Sequence, residues 1–152
     1  MSYPDLQGQV QVVQAIKPQV VAASDTIDSN ESGEANGGID TKGFRYAVIV
    51  LNGGDVNALG TAVKVQATSN SDGSTGATDI TGAAFAAIPA DDTVYYGVVD
   101  TSSTARYLNV NLVNAATNTA TCSVSVLLWA SDDTRNFAPT ATTFAVGGVY
   151  DA

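Results

Sequence analysis

The chain has no histidine, a single cysteine and few charged side chains, and each shortage excludes a class of function. Without histidine the protein lacks the commonest general base, the Ser-His and Cys-His nucleophiles and the usual ligand of zinc and copper. The one cysteine, Cys122, has no partner for an internal disulfide and lies in an alternating segment, so we expect a small buried side chain. These shortages predict a protein that is not an enzyme and needs no cofactor.

Carboxylates are the main catalytic chemistry left, and their arrangement does not favour it. The visible pairs are Asp91 with Asp92 and Asp132 with Asp133. Because neighbouring residues of an extended chain point to opposite sides, neither pair forms an acid/base couple. We interpret all four as solvated loop charges.

Basic residues are scarce too, since six lysines and arginines stand against 15 aspartates and glutamates, a formal net charge of −9. The six are scattered rather than clustered, so direct nucleic-acid binding is not expected. No apolar run reaches the length of a membrane span, about 18 residues, and residues 1–10 lack the pattern of a signal peptide. We therefore expect a soluble protein made in the cytoplasm, without membrane contact.

Valine, threonine and alanine are abundant, and they alternate with polar residues in short segments. Alternation with a period of two, broken about every ten residues by turn residues, is typical of a β-sandwich. The sequence predicts an all-β fold, a β-sandwich or jelly-roll-like single domain of about six to eight short antiparallel strands with extended arms. We place an N-terminal arm and acidic loop at residues 1–38, the sandwich core at 39–130 and a C-terminal arm at 131–152.

Four segments of the core predict individual strands. Residues 44–51 are apolar at both alternating sets of positions, which indicates a central or covered strand. Residues 61–68 alternate clearly, with Val63, Val65 and Ala67 expected to point inward, and are interpreted as the second strand of a meander. Residues 93–99 and 105–113 are expected to form the next strand pair.

Two polar segments have the spacing of calcium-binding loops, whose oxygen ligands recur at alternate positions with glycine at the sixth. The first lies in residues 24–38, an acidic stretch expected to be a mobile loop, and offers Asp28, Asn30, Ser32 and Gly33. The second offers Thr68, Asn70, Asp72, Gly73 and Asp79. Both are interpreted as turns, with a tight turn at residues 70–73, because Asp72-Gly73 tolerates the positive φ that hairpin turns need. Calcium binding near Asp28 or Asp72 stays as an alternative interpretation.

Aromatic side chains offer another kind of site, a stacking platform for sugars. The candidates are Tyr95, Tyr96, Tyr107 and Trp129. Because Tyr95 and Tyr96 are adjacent, only one of them can occupy a given face of a sheet. Packing within the sandwich is the favoured interpretation.

The two arms carry the candidate interaction residues. Their aromatic and aliphatic side chains are spaced through small polar residues, too sparse to fold alone but suited to anchoring on another surface. The candidate interface residues are Tyr3, Leu6, Val10, Val12, Phe137, Phe144 and Tyr150. The alternative, that both arms fold back on their own sandwich, has equal weight.

Four core segments, in their order and spacing, resemble a known group of proteins. They are residues 39–44, 71–75, 105–108 and 123–129. Together they are similar to the small β-sandwich decoration, or cement, proteins on the capsids of tailed bacteriophages. That resemblance implies a structural virion protein that binds the outer surface of the assembled major capsid protein and stabilises the phage head. It also implies a homo-oligomer, with a trimer favoured.

The chain departs from that group in two places. Gly76 and Ala77 stand where an aromatic residue is usual after the Asp-Gly turn, and Leu108 and Asn109 replace a usual basic residue after Tyr107. The negative charge fits an outer rather than an inner position, because packaged DNA would repel it. The alternative function is a carbohydrate- or receptor-binding β-module, such as a tail- or fibre-associated domain.

Overall fold

The computed structural model describes residues 10–29, 37–54, 63–85, 93–115, 117, 119–130 and 143–145. Ten strands run through these residues: β1 Val10–Val21, β2 Asp25–Asp28, β3 Ile39–Asp40, β4 Tyr46–Gly53, β5 Val63–Thr68, β6 Thr78–Phe85, β7 Thr93–Asp100, β8 Tyr107–Asn114, β9 Ala120–Trp129 and β10 Thr143–Ala145. A 3-10 turn, Thr101–Ser103, separates β7 from β8. No helix in this part of the chain is both long and apolar enough to cross a membrane.

The strands form two antiparallel sheets that pack as a sandwich. Sheet A has the order β1-β9-β4-β7-β10, and sheet B has the order β2-β8-β5-β6, with β3 pairing with β8 beyond the end of β2. The pairs are nested along the chain, β1 with β9, β2 with β8, β4 with β7 and β5 with β6. This nesting is the connectivity of a jelly roll. The predicted all-β sandwich is confirmed.

The core lies between the two sheets and takes alternate residues from each strand. In β9 the buried positions are Cys122, Val124, Val126 and Leu128. In β5 the predicted inward residues Val63, Val65 and Ala67 are all buried. The prediction of a buried Cys122 is confirmed, and burial raises the pKa of its thiol to about 11. β4 lies between β9 and β7, as expected for a central strand.

Two predicted strand pairings are wrong. The sequence predicts a meander from residues 44–51 to 61–68, but β4 lies in sheet A and β5 in sheet B. It also predicts a pair between residues 93–99 and 105–113, whereas β7 lies in sheet A and β8 in sheet B. Alternation identifies a strand from local sequence, but its partner depends on distant residues, and the nested connectivity here sends β4 and β5, and likewise β7 and β8, to opposite sheets.

The N-terminal region contributes to both sheets. Within residues 1–38, β1 pairs with β9 from Val10 to Val21, with register shifts on either side of Ile16, and β2 pairs with β8. Residues 25–28 therefore form a strand instead of the expected mobile loop. Ser29, which follows them, is fully buried; its hydroxyl donates to Asn109 Oδ1 at 2.8 Å and accepts from the Val110 amide at 3.0 Å. Polar residues are held here because their hydrogen bonds are satisfied within sheet B.

An exposed ion pair links β3 to the residue before β8. Arg106 donates from Nε to Asp40 Oδ1 at 2.8 Å and from Nη2 to Asp40 Oδ2 at 2.6 Å, a bidentate contact. The hydrogen bonds from Arg106 lower the pKa of Asp40 from 3.8 to about 2. Because the two side chains are 47% and 44% exposed, solvent screening keeps their contribution to stability small.

Truncating two adjacent leucines tests the register of β9. Leu128 is fully buried and Leu127 lies half-buried on the opposite face of the same strand. Leu128→Ala should lower the free energy of unfolding by about 2–5 kcal/mol, because it leaves a cavity in the core. Leu127→Ala, the matched control, should cost about 1 kcal/mol or less. Urea denaturation measures both, and equal losses would contradict the register.

Asp40→Asn should remove a pH-dependent part of the stability. A carboxyl group with a depressed pKa stabilises the folded state above its unfolded pKa, about 3.9, and this stabilisation is lost as the pH falls toward its folded value of about 2. After allowance for solvent screening, wild type and variant should differ by at most about 1 kcal/mol at pH 7. The two free energies should converge near pH 2. A difference that persists at low pH in urea denaturation would count against the ion pair.

Candidate interaction surface

The register of sheet A defines an outer face that is largely apolar. Residues opposite each other on paired strands lie on the same face, so the residues that alternate with the core positions face outward. They are Val10, Val12, Gln14 and Val20 of β1, Thr121, Ser123, Ser125, Leu127 and Trp129 of β9, Tyr46, Val48, Val50 and Asn52 of β4, and Val94, Tyr96, Val98 and Asp100 of β7. We call this set the A face. Its one charged member is Asp100, which lies opposite Tyr46 at one end of the sheet, where the Arg45 guanidinium also lies 5.4 Å from the centre of the Tyr46 ring.

The exposed hydrophobic residues of the described chain are concentrated on the A face. Every large hydrophobic side chain that is exposed in the described part of the protein lies on the A face. These are Val10, Val12, Val20, Val94 and Tyr96, with exposed fractions from 37% to 66%. Tyr46 and Val98 are buried but stand apart from the core cluster, as their outward positions require. An antiparallel sheet normally turns polar side chains toward water. An apolar outer face of this kind makes the A face a candidate contact surface.

The outer face of sheet B has the opposite character. Lys64 Nζ lies 3.0 Å from Asp79 Oδ1, and Gln66 Nε2 donates to the same oxygen at 2.7 Å. The hydrogen bonds from Gln66 and Lys64 lower the pKa of Asp79. On the neighbouring strands Asn111 donates to the carboxylate of Asp28. The outer face of sheet B therefore exposes charged and amide groups to solvent, whereas the outer face of sheet A is largely apolar.

β1 is an edge strand of sheet A, and its two halves differ. Among the residues that the structure describes, no strand pairs with its outer edge. Lys17 and Pro18 lie where the register with β9 shifts, and both residue types hinder pairing with another chain. Residues 10–14 carry neither, and residues 11–14 border a groove of about 460 Å³ that Ile39 and Phe44 also line. The open half of the edge is thus continuous with the A face through Val10 and Val12.

The structure brings only part of the predicted interface set together. Val10 and Val12 lie on the A face. Phe144 belongs to β10 and lies opposite Gly97 of β7, at the other edge of sheet A, so residues 143–145 fold back on the sandwich. Outside the described residues lie Tyr3, Leu6, Phe137 and Tyr150 of the interface set, Asn30, Ser32 and Gly33 of the first calcium-like segment, and the acidic pairs Asp91, Asp92, Asp132 and Asp133.

The aromatic candidates do not form one stacking platform. Tyr95 is buried in the core at 1% exposure, whereas Tyr96 is 45% exposed on the A face, as their adjacency predicts. Tyr96 lies opposite Val50, and Trp129 lies opposite Tyr46, on the two sides of β4. The rise per residue and the distance between strands place the Cα atoms of Tyr96 and Trp129 roughly 17 Å apart. A single sugar ring cannot contact both.

The connection between β5 and β6 has the tight turn predicted at residues 70–73: the Gly73 amide donates to the Asn70 carbonyl at 3.1 Å, and Gly73 has a φ of +74°. The Asp72 carboxylate accepts hydrogen bonds from the Ser74 amide at 3.0 Å, the Thr75 amide at 2.9 Å and the Thr75 hydroxyl at 2.6 Å. These bonds, the hydroxyl first, lower the pKa of Asp72. Asp79 turns instead to Lys64. No cluster of three His, Cys, Asp or Glu residues occurs in the described part of the chain.

The A face was not found from sequence, although one signal for it was present. The doubly apolar pattern of residues 44–51 indicated a central or covered strand, and β4 is central. Its outward side chains Val48 and Val50 are half-buried among their neighbours. The outward residues of β9 gave a weaker signal, because polar Ser123 and Ser125 precede Leu127 and Trp129. Only the pairing of the strands collects these residues on one surface.

Comparison with known proteins gives no independent indication of function. No family model, no curated protein and no solved structure matches the chain. The function is therefore inferred from the A face and from the charge distribution around it.

Calcium should not stabilise the hairpin, because the oxygens of Asp72 are occupied by the turn itself. Calcium chloride and EDTA should leave the Tm of the wild type unchanged in differential scanning calorimetry. Asp72→Ala removes the turn hydrogen bonds and should lower the Tm, while Ser71→Ala, an exposed neighbour, should not. A rise in Tm with calcium that Asp72→Ala abolishes would contradict this interpretation.

Proposed function

We propose that this protein is a structural virion protein, a capsid decoration protein that binds the outer surface of the assembled major capsid protein and stabilises the head. The A face carries the proposal, because a broad and largely apolar sheet face, with charge only at one end, suits contact with protein and does not suit nucleic acid or a small polar substrate. The resemblance of residues 39–44, 71–75, 105–108 and 123–129 to phage decoration proteins supports the choice of partner.

The fold is compatible with this role but does not select it. Jelly rolls occur in viral capsid domains and also in lectins and cupins. Because a fold of this kind supports many functions, the function is inferred from the surface and not from the fold. Here the described residues offer an apolar sheet face on one side and a charged one on the other.

The charge supports an outer position on the particle. With a net charge of −9, the protein would be repelled by packaged DNA inside the head. Copies arranged on a regular shell also gain avidity, so that individually modest contacts hold them in place.

Cosedimentation with capsids tests the proposal. Assembled shells of the virus whose genome encodes this chain should carry the protein into the pellet, while their unassembled capsid protein should not retain it. Tyr96→Asp, which places a charge in the A face, should weaken the binding. Ala84→Asp, the same charge change on the exposed side of sheet B, should leave it intact. Failure of the wild type to bind assembled shells would refute the proposal.

A carbohydrate-binding module is the second candidate, and the exposed ring of Tyr96 is the observation in its favour. Trp129, on the same face, provides the readout. Titration with a panel of cell-surface glycans should leave Trp129 fluorescence unchanged if the protein decorates capsids. Saturable quenching by one glycan would favour the carbohydrate-binding function instead.

A further inference from the structure

The A face is also a surface on which copies of this acidic chain could meet. We infer that two copies pack A face to A face. The inference rests on the proposed function only in taking the A face as a protein contact; it does not require capsids. Because both contacts use the same face, the dimer is the free form of the protein and must dissociate before a copy binds a capsid. It follows from the charge distribution, the dimensions of the sheet and the symmetry of such a contact.

Charge favours a second copy at this surface over any other surface described. Two chains that each carry a net charge of −9 repel one another. On sheet B an approaching copy would meet Asp79 and Lys64, and at its margin the pair formed by Asp40 and Arg106. On the A face such groups stand only at the end beside Tyr46, where Asp100 and Arg45 lie, so over the rest of the face the apolar attraction is opposed only by the net charge of each chain. Dilute salt should therefore weaken the contact and added salt should strengthen it.

The size of the A face sets the strength of the contact. Its four strands, about 4.8 Å apart, and the eight residues of β4 at about 3.3 Å each give a plane of roughly 500 Å². Two such planes bury on the order of 1,000 Å², near the lower limit for specific interfaces. The expected product is a reversible dimer that forms with rising concentration.

Symmetry gives the stoichiometry. Two sheets pack face to face at about 10 Å, with the side chains of one meeting those of the other. When the same patch is used by both chains, the contact is isologous and closes at two copies. A dimer through the A face thus differs from the trimer that the resemblance implies.

Sedimentation equilibrium of the purified full chain, over a range of concentrations at low and high sodium chloride, tests the inference. The wild type should form a dimer whose dissociation constant falls as salt rises. Tyr96→Asp and Val12→Asp, both at exposed positions of the A face, should each raise that constant at least about tenfold, because a charge would be buried without a partner. Ala84→Asp, with the same charge change on sheet B, should leave it unchanged. Circular dichroism confirms that each variant is folded.

Several results would overturn the inference. A monomer at every concentration and salt would mean that another protein or another segment of the chain covers the A face. A trimer, or a dimer that Tyr96→Asp does not weaken, would place the contact elsewhere. Because capsids are absent, failure to dimerise is distinct from failure to bind shells: each experiment can fail while the other succeeds.

Discussion

The position of β9 between β1 and β4 is the constraint on which the rest of the structure depends. Val126 lies opposite Val13 on one side and Ile49 on the other, so both neighbours hold β9 in the same register. A slip of one residue would turn every buried side chain of β9 outward. The core therefore also determines the surface: once Val126 and Leu128 are inside, Leu127 and Trp129 must be outside.

This constraint divides the molecule into two unlike sides. Most of the charged groups of the described strands lie on sheet B, where Asp79, Lys64 and Gln66 satisfy one another. Sheet A receives the outward valines and aromatics of four strands. In a strongly acidic chain, a sheet face that carries charge only at one end is suited to association with protein, while the charged sheet is suited to contact with solvent. Capsid binding and dimerisation are both proposals about that second side.

Local properties were predictable from sequence, and non-local ones were not. Alternation correctly placed Val63, Val65 and Cys122 in the core. The Asp72-Gly73 pair correctly indicated a tight turn, in which Gly73 has a positive φ. Both signals depend on only a few adjacent residues. The partners of β5 and β8 were mistaken, since nested pairing is decided by contacts between distant segments. Residues 25–28 were not predicted to form a strand, because the prediction relied on apolar alternation and this segment is mostly polar, whereas its pairing with β8 is made by the backbone.

The most direct test of the A face as a contact surface is collisional quenching of Trp129 by acrylamide. Trp129 is the chain's one tryptophan and lies on that face, and a neutral quencher is indifferent to the charge of the protein. The account predicts ready quenching in dilute protein and marked protection when the protein is associated, whether with a second copy or with a capsid. Equal quenching in the dilute and associated states would show that the A face is not the surface through which this protein binds.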